Sequence, residues 1–301
     1  MTLVDFHLHL FSRPYFDALA ALSPLPGTPS ERLAQAAAKA QIELPPTELA
    51  THVARWIAEF DAHGVEHAAA FASAPEEVPS LAAAAVLAKG RITPFALVNP
   101  KAEGAAERTR TLLESKGFRG VLLFPALHHY ELSAPECREL LGVLDAHSAI
   151  AYVHCGALVV KLRDLLGIPR TMDERFASPL HVLAAARDFP NARFVIPHFG
   201  AGRFHETLTA GAQCANVFVD TSSSNSWLAQ HPDKLTLRDV FARTLDAFGP
   251  ERVLFGTDSN TFPAGWRRER HEEQRAIVAS LSPAAIGPIF RANALRLLGR
   301  P

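Results

Sequence analysis

Residues 3–10 read Leu3-Val4-Asp5-Phe6-His7-Leu8-His9-Leu10, a buried β-strand pattern interrupted by three polar side chains. Successive strand side chains point to opposite faces, so the pattern predicts Asp5, His7 and His9 on one face and apolar residues on the other. Polar groups in a core are costly without partners, and a divalent metal ion suits two histidines separated by one residue. The stretch therefore indicates a metal site. The alternative is that His7 and His9 are ordinary core histidines held by hydrogen bonds. Further ligands elsewhere in the chain would exclude that alternative.

Strand-length apolar runs recur along the chain and alternate with segments of helical periodicity. The predicted strands are Leu3–Leu10, Glu66–Ala72, Ile92–Val98, Gly120–Phe124, Ile150–His154, Arg193–His198, Val217–Asp220 and Val253–Thr257. The predicted helices include Leu81–Lys89, Ala105–Ser115, Ala134–His147, Pro179–Phe189 and Val240–Phe248. Eight strands alternating with helices predict parallel βαβ units and favour a (β/α)8 barrel over an open sheet.

The composition fits one globular domain over residues 1–301, since 48% of the residues are hydrophobic and only 20% are charged. Thirty Lys and Arg balance 31 Asp and Glu, which argues against a nucleic-acid partner. No apolar stretch has membrane length and no signal-peptide pattern precedes the first strand, so we expect a cytoplasmic protein without a membrane partner. The expected partner is a small-molecule substrate. The sequence leaves open whether the chain forms a homodimer.

The first connection between strand and helix is unusually long. Its proline-rich pieces, residues 23–30 and 44–47, lie inside it and do not resemble an interdomain linker. We therefore predict an inserted loop and helical segment around residues 11–50, over the active face of the barrel, where long loops commonly form lids.

Three later strands end in polar residues directly before a turn, at His154, His198 and Asp258. The carboxyl ends of barrel strands converge on one face, so these side chains are expected to meet His7 and His9 around one ion. The remaining histidines, such as His52, are predicted to be surface residues.

These motifs together resemble the amidohydrolase superfamily, and within it the amidohydrolase-related family of metal-dependent hydrolases and non-oxidative decarboxylases. The resemblance covers nearly the whole chain. Its marks are Val4–His9, Val98–Pro100, Gly117–Val121, Val153–Gly156, Pro197–Gly200, Leu254–Asp258 and Asn293–Leu298.

The resemblance implies a distorted TIM barrel with a metal at its carboxyl face. It further implies the ligands His7, His9, His154 and Asp258, with His198 beside the metal-bound water or the substrate. Many superfamily members carry a metal-bridging lysine on the fourth strand, whereas this chain has an apolar run at 120–125. We therefore expect one divalent ion, with zinc as the expected metal.

Bound zinc lowers the pKa of water towards about 7 and polarises a carbonyl, which favours hydrolysis of a small ester, lactone or amide. Asp258 is the expected base, and His198 would stabilise the oxyanion or shuttle a proton. Asp5 would hold a ligand imidazole by its other nitrogen.

Two alternatives remain open. A non-oxidative decarboxylase of an aromatic or unsaturated acid could use the same site. A catalytically silent metal-binding protein is the third hypothesis, and the complete ligand set disfavours it. An anionic substrate is compatible with either enzyme, because four arginines in candidate lid segments could bind it: Arg13, Arg163, Arg170 and Arg203.

Overall fold

The computed structural model describes residues 2–300, which fold around a parallel eight-stranded sheet in the strand order β1 to β8. The strands are β1 (Leu3–His9), β2 (Val65–Phe71), β3 (Ile92–Leu97), β4 (Gly120–Leu123), β5 (Ile150–Val153), β6 (Arg193–Ile196), β7 (Val217–Asp220) and β8 (Val253–Leu254). The sheet closes on itself, since Phe6 N donates to Phe255 O at 2.8 Å and Asp258 N donates to His7 O at 2.8 Å. The predicted (β/α)8 barrel is confirmed.

Helices follow the strands around the barrel. The α-helices are α1 (Arg13–Leu22), α2 (Pro29–Ala40), α3 (Leu49–His63), α4 (Val78–Leu87), α5 (Ala105–Ser115), α6 (Pro125–His128), α7 (Pro135–Ala146), α8 (Lys161–Leu165), α9 (Pro179–Asp188), α10 (Phe204–Gln213), α11 (Leu237–Phe248), α12 (Arg268–Leu281) and α13 (Asn293–Leu298). Helix α11 begins before its predicted start because Thr236 and Asp239 form a capping box that adds a first turn. Within residues 2–300, none of the helices has the length and apolar character needed to cross a membrane.

Strand β1 contains a β-bulge between Asp5 and Leu8. Asp5 pairs with Ala68 of β2 and Leu8 pairs with Ala70, so three steps along β1 match two along β2. A bulge places two consecutive side chains on one face and breaks the strict alternation of the strand. Phe6 therefore packs in the cluster that fills the barrel interior, while Leu8 joins the outer core between strands and helices.

The bulge separates Asp5 from His7, so the prediction that they share one strand face is wrong. The buried Asp5 carboxylate accepts hydrogen bonds from Thr257 N at 3.0 Å and from Trp266 Nε1 at 2.8 Å. His7 follows Phe6 inward and packs against Phe71 with tilted rings whose centroids lie 5.0 Å apart. The two side chains consequently belong to different surroundings.

The inserted segment, residues 11–50, contains α1 and α2 and has a small core of its own. Phe16 and Leu19 of α1 pack with Leu33 of α2, with Ala74 after β2 and with Leu162 of α8. Because the loops after β2 and β5 both lie at the carboxyl ends of their strands, the inserted segment lies at that end of the barrel.

The prediction that His52 is a surface residue is also wrong. Its side chain is 4% exposed, and its Nε2 lies 2.8 Å from the Leu10 carbonyl oxygen. Helix α3 carries it towards β1, where Trp56 packs against its ring edge. A carbonyl that β1 leaves unpaired at its end thus gains a partner.

Candidate active site and metal centre

His7 and His9 bring their Nε2 atoms to the same point at the mouth of the barrel. The two atoms lie 3.1 Å apart, and Asp258 Oδ1 lies 3.9 Å from His7 Nε2 and 3.4 Å from His9 Nε2. Asp258 follows β8 with a φ of 56°, a left-handed conformation that is uncommon outside glycine. Such strained backbone is typical of functional sites, and here it accompanies a carboxylate turned towards both imidazoles.

The second nitrogen of each imidazole already has an oxygen partner. His7 Nδ1 lies 2.9 Å from Asp220 Oδ2, and His9 Nδ1 lies 2.8 Å from Ser73 Oγ. The Asp220 carboxylate can only accept, so it places the proton of His7 on Nδ1 and leaves the lone pair on Nε2, and the Ser73 hydroxyl is able to accept from His9 Nδ1 in the same way. Two lone pairs and a carboxylate therefore converge on one point, which is the donor set that a divalent cation requires.

His154, at the end of β5, lies farther from this point. The ligand atoms of His7, His9 and Asp258 all lie within 4.8 Å of one another, a group that does not include His154. Its ring instead packs against His198, with centroids 5.3 Å apart, and against Phe124 at 5.2 Å. Three of the four predicted ligands thus converge, and the fourth lies beside them.

His198, directly after β6, stacks on His7 with ring centroids 4.9 Å apart. Its Nδ1 lies 2.8 Å from Ser222 Oγ, and its backbone N–H donates to Asp220 Oδ1 at 3.1 Å. Ser222 Oγ also donates to Asp220 Oδ1, so its lone pairs face the histidine nitrogen. This network favours a proton on Nδ1 of His198 and a free lone pair on Nε2.

The pKa values of the histidines follow from burial and from neighbouring charge. Burial lowers the pKa of His9 and of His198 well below the ordinary value, and the charge on His7 lowers both further. Burial, followed by the charge on His7, lowers the pKa of His154 to about 3. These three imidazoles are therefore neutral at pH 7, the state in which histidine binds a metal.

The pKa of His7 shifts in the opposite direction to those of His9, His154 and His198. Burial alone lowers the pKa of His7, but the Asp220 carboxylate, with smaller contributions from Asp258 and Asp5, raises it above the ordinary value. The same surroundings act on Asp258, because removal from water raises the pKa of its carboxyl group. The negative charge that stabilises a proton on His7 would equally stabilise a bound cation.

Two cavities meet at these side chains. The first, of 380 Å³, lies under the inserted segment and has mostly apolar walls that include Phe11, Tyr15, Phe16, Leu19, Ile42 and Phe124. The second, of 580 Å³, is more polar and is lined by Arg203, Ser223, Ser224 and Arg270 among others. His154, His198 and Asp258 line both cavities.

Two of the four predicted substrate-binding arginines lie away from the first cavity. Arg13 is not among the lining residues of either cavity, and its Nε donates to Asp17 Oδ1 at 2.8 Å. Arg203 lines the second cavity and binds Glu174 Oε2 at 3.0 Å. Their charges are already balanced by carboxylates of the chain.

The other two arginines, Arg163 and Arg170, line the first cavity. Arg170 is exposed and binds both carboxylate oxygens of Asp164, at 2.8 and 2.6 Å. Arg163 is half-buried, and no carboxylate within residues 2–300 forms an ion pair with it. Of the four, Arg163 is the cation most available to a ligand in this cavity.

Asp220 takes the position beside an imidazole that was predicted for Asp5. Asp220 is fully buried at the end of β7 and contacts His7, His198 and Ser222. Tyr152 of β5 reaches the same His7 nitrogen, with its Oη 2.7 Å away. An acid at the end of an apolar strand run was the available signal for Asp220, as it was for Asp258.

The sequence profile of the amidohydrolase family matches residues 4–300. No curated protein sequence gives a significant match. Among solved structures, the 5-carboxyvanillate decarboxylase LigW from Sphingomonas paucimobilis has a TM-score of 0.68 at 14% identity, covering 100% of this chain and 99% of its own.

Two further solved structures have the same fold. The 5-carboxyvanillate decarboxylase LigW2 from Novosphingobium aromaticivorans, with bound manganese, has a TM-score of 0.66 at 13% identity, covering 99% of this chain and 97% of its own. A probable 2-pyrone-4,6-dicarboxylic acid hydrolase from Acinetobacter baumannii has a TM-score of 0.64 at 14% identity, with 99% and 100% covered. The match over residues 4–300, together with this barrel, shows that the chain belongs to the amidohydrolase family of enzymes.

Proposed function

We propose that the protein is a metal-dependent hydrolase that cleaves a small ester, lactone or amide with metal-activated water. The observation that carries this proposal is the convergence of His7 Nε2, His9 Nε2 and Asp258 Oδ1 beside a cavity. His154 is the fourth proposed ligand, and zinc suits this mixture of imidazole and carboxylate donors. When bound, the ion would lower the pKa of water towards about 7 and polarise the substrate carbonyl.

Asp258 is the proposed general base. Its Oδ1 faces the two imidazoles, which leaves Oδ2 to accept the proton of the attacking water. His198 is the proposed proton shuttle, since Ser222 holds its Nδ1 and leaves the Nε2 lone pair to carry a proton to the leaving group. Both side chains line both cavities, so they can reach the acyl part and the leaving group of one substrate.

The first cavity supports a substrate with an apolar acyl group. Its aromatic and aliphatic walls, such as Phe16 and Leu19, offer no hydrogen bonds to a polar chain. Arg163 is the proposed contact for any anionic substituent, because it lines this cavity without an ion pair to any described residue.

Isotope labelling tests the reaction. Zinc-loaded protein would be screened against phenyl esters, lactones and anilides, and turnover in ¹⁸O-water should place label in the product carboxylate. The kcat/KM value should rise with pH through an apparent pKa of about 7. Unlabelled product with stoichiometric carbon dioxide, released from aromatic acids, would instead establish decarboxylation. Absence of turnover of every ester, lactone and anilide by the zinc-loaded protein would contradict the proposed hydrolase.

A further inference from the structure

Glu77 is a fully buried carboxylate in the short 3-10 segment Pro75–Glu77 after β2. Its Oε1 accepts hydrogen bonds from Ser12 N at 2.7 Å and Ser12 Oγ at 3.2 Å, and its Oε2 accepts one from Ser73 N at 2.8 Å. Among residues 2–300, no basic side chain forms an ion pair with it. Three donors therefore face one carboxylate, and a glutamine amide would turn hydrogens towards at least one of them.

One arm of this network leads to the proposed metal centre. Glu77 holds the backbone of Ser73, and the Ser73 hydroxyl lies 2.8 Å from His9 Nδ1. The opposite nitrogen of His9 is the one that faces His7 Nε2. Fixing the Ser73 backbone consequently fixes the ring orientation of a proposed ligand.

The other arm leads to the inserted segment. Ser12 immediately precedes α1 yet does not cap that helix, because its hydroxyl is directed to Glu77. The preceding residue, Phe11, has a left-handed φ of 43°, and its ring stacks on His9 at 5.0 Å and on Tyr15 at 4.1 Å. The same carboxylate thus anchors the start of the segment that places an aromatic ring over His9.

We propose that Glu77 is a positioning residue that orients His9 for metal binding through Ser73 and anchors α1 beside it. This proposal rests on the proposed metal site. Partners of a metal-binding histidine typically change metal affinity by about 10- to 100-fold when they are removed. Glu77 binds Ser73, which in turn binds His9, so Glu77 would change metal affinity through Ser73.

Zinc affinity in a double-mutant cycle tests the proposal. The dissociation constant would be measured by chelator competition for the full-length wild type, Ser73→Ala, Glu77→Gln and the double variant. Each single variant should weaken binding by about tenfold, and the double variant should bind about as weakly as the singles because both act on His9. Glu76→Gln is the matched control, since it makes the same substitution at the exposed neighbour in the same 3-10 segment and should stay within about twofold of wild type.

Additive effects in the cycle would overturn the proposal, as would wild-type zinc affinity in Glu77→Gln alongside a lower Tm. If Glu77→Gln does not fold, Ser73→Ala decides alone, because it keeps Glu77 and its backbone contacts. Unchanged zinc affinity in Ser73→Ala would overturn the proposal that Glu77 acts on His9 through Ser73.

The histidine tautomer separates this proposal from the proposed function. In metal-free wild-type protein, ¹⁵N NMR of the imidazoles should show the His9 proton on Nδ1, and Ser73→Ala and Glu77→Gln should both shift that population. Such shifts in a protein that binds no zinc would support positioning while refuting the metal-dependent hydrolase. Tight zinc binding with an identical His9 tautomer in all variants would do the reverse.

Discussion

Asp220 and Ser222 hold the two stacked histidines of the site from below. Asp220 contacts His7 Nδ1 and the His198 backbone N–H, and the Ser222 hydroxyl lies 2.8 Å from Nδ1 of both rings. One carboxylate and one hydroxyl therefore set the direction of two Nε2 lone pairs. The two histidines lead to distinct expectations, since His7 Nε2 lies 3.1 Å from His9 Nε2 and 3.9 Å from Asp258 Oδ1, whereas His198 groups with His7 and Asp220.

Replacing both β1 histidines should abolish metal binding. Protein purified without chelator is expected to contain about one equivalent of divalent metal, and His7→Ala/His9→Ala should retain almost none because only one converging donor remains. Elemental analysis measures this, with His205→Ala as control because His205 is exposed on α10. A full equivalent in the double variant would refute the assignment of the ligands, and two equivalents in wild type would refute a single-metal site.

Replacing His198 should affect turnover more than metal content. His198→Asn keeps a polar side chain but removes the nitrogen that would carry the proton, so kcat should fall by about 10²-fold or more. Metal content should remain close to wild type in elemental analysis. A variant that loses its metal would instead make His198 a ligand.

At the scale of secondary-structure elements, β1 and β8 approach each other closely enough to require glycine. A Cβ added at Gly256 would lie 2.7 Å from His7 Cβ and 3.0 Å from Ser222 Cβ. The β1 bulge brings His7 inward at this position, and the absence of a side chain on Gly256 leaves room for it.

Gly256→Ala should therefore displace His7 and weaken metal binding. Overpacking at a buried contact typically costs about 1–3 kcal/mol, and here the atom that must move belongs to a proposed ligand. Both the zinc dissociation constant and the urea midpoint would be measured. Gly142→Ala is the control, because a Cβ at that helical glycine meets no atom within 4 Å. Unaltered zinc affinity in Gly256→Ala would show that His7 tolerates the shift.

The inserted segment should be able to unfold locally while the barrel stays folded, because its hydrophobic core is separate from the main core of the barrel. Phe16→Ala removes a buried aromatic side chain of α1, a change that typically costs about 3–5 kcal/mol. We expect faster proteolysis between α1 and α2 while the far-ultraviolet circular dichroism of the barrel persists. Leu22→Ala is the matched control, since Leu22 is 61% exposed on the same helix. Loss of the whole fold in Phe16→Ala would contradict this independence.

At the scale of the whole molecule, Glu77 should make stability depend on pH. Burial raises the pKa of Glu77 from 4.5 to about 7. An acid with a raised folded pKa binds more protons when folded, so its stabilising contribution is complete below about pH 4.5 and is lost as the pH rises towards 7. Burial also raises the pKa of Tyr15, which faces Glu77, so that phenol stays neutral in this range.

The free energy of unfolding of wild type minus that of Glu77→Gln should therefore fall by about 3 kcal/mol between pH 4 and pH 8. Urea denaturation with chelator present measures this difference without a contribution from bound metal. A difference that is constant with pH would show that folding does not raise the pKa of Glu77.

The sequence predicted much of the fold and part of the candidate site. Helix α5 has its predicted bounds, and every predicted strand overlaps an observed one, because apolar periodicity is a local property of the chain. His7, His9 and Asp258 could be placed together because strand ends converge in a barrel. His52 was misplaced because its partner, the Leu10 carbonyl, lies 42 residues away in sequence.

By itself, the sequence determined the eight strands and the polar residues at their ends, since each depends on neighbours within a few positions, and the alternation of eight strands with helices indicated the barrel. Only the tertiary structure decided which oxygen meets which imidazole nitrogen. The β1 bulge turned Asp5 towards Trp266, and His7 instead meets Asp220, 213 positions later in the chain. The bulge depends on the register between β1 and β2, and the contact between His7 and Asp220 depends on barrel closure, which brings the end of β7 near β1. Neither the register nor the closure can be read from residues that are neighbours in the sequence.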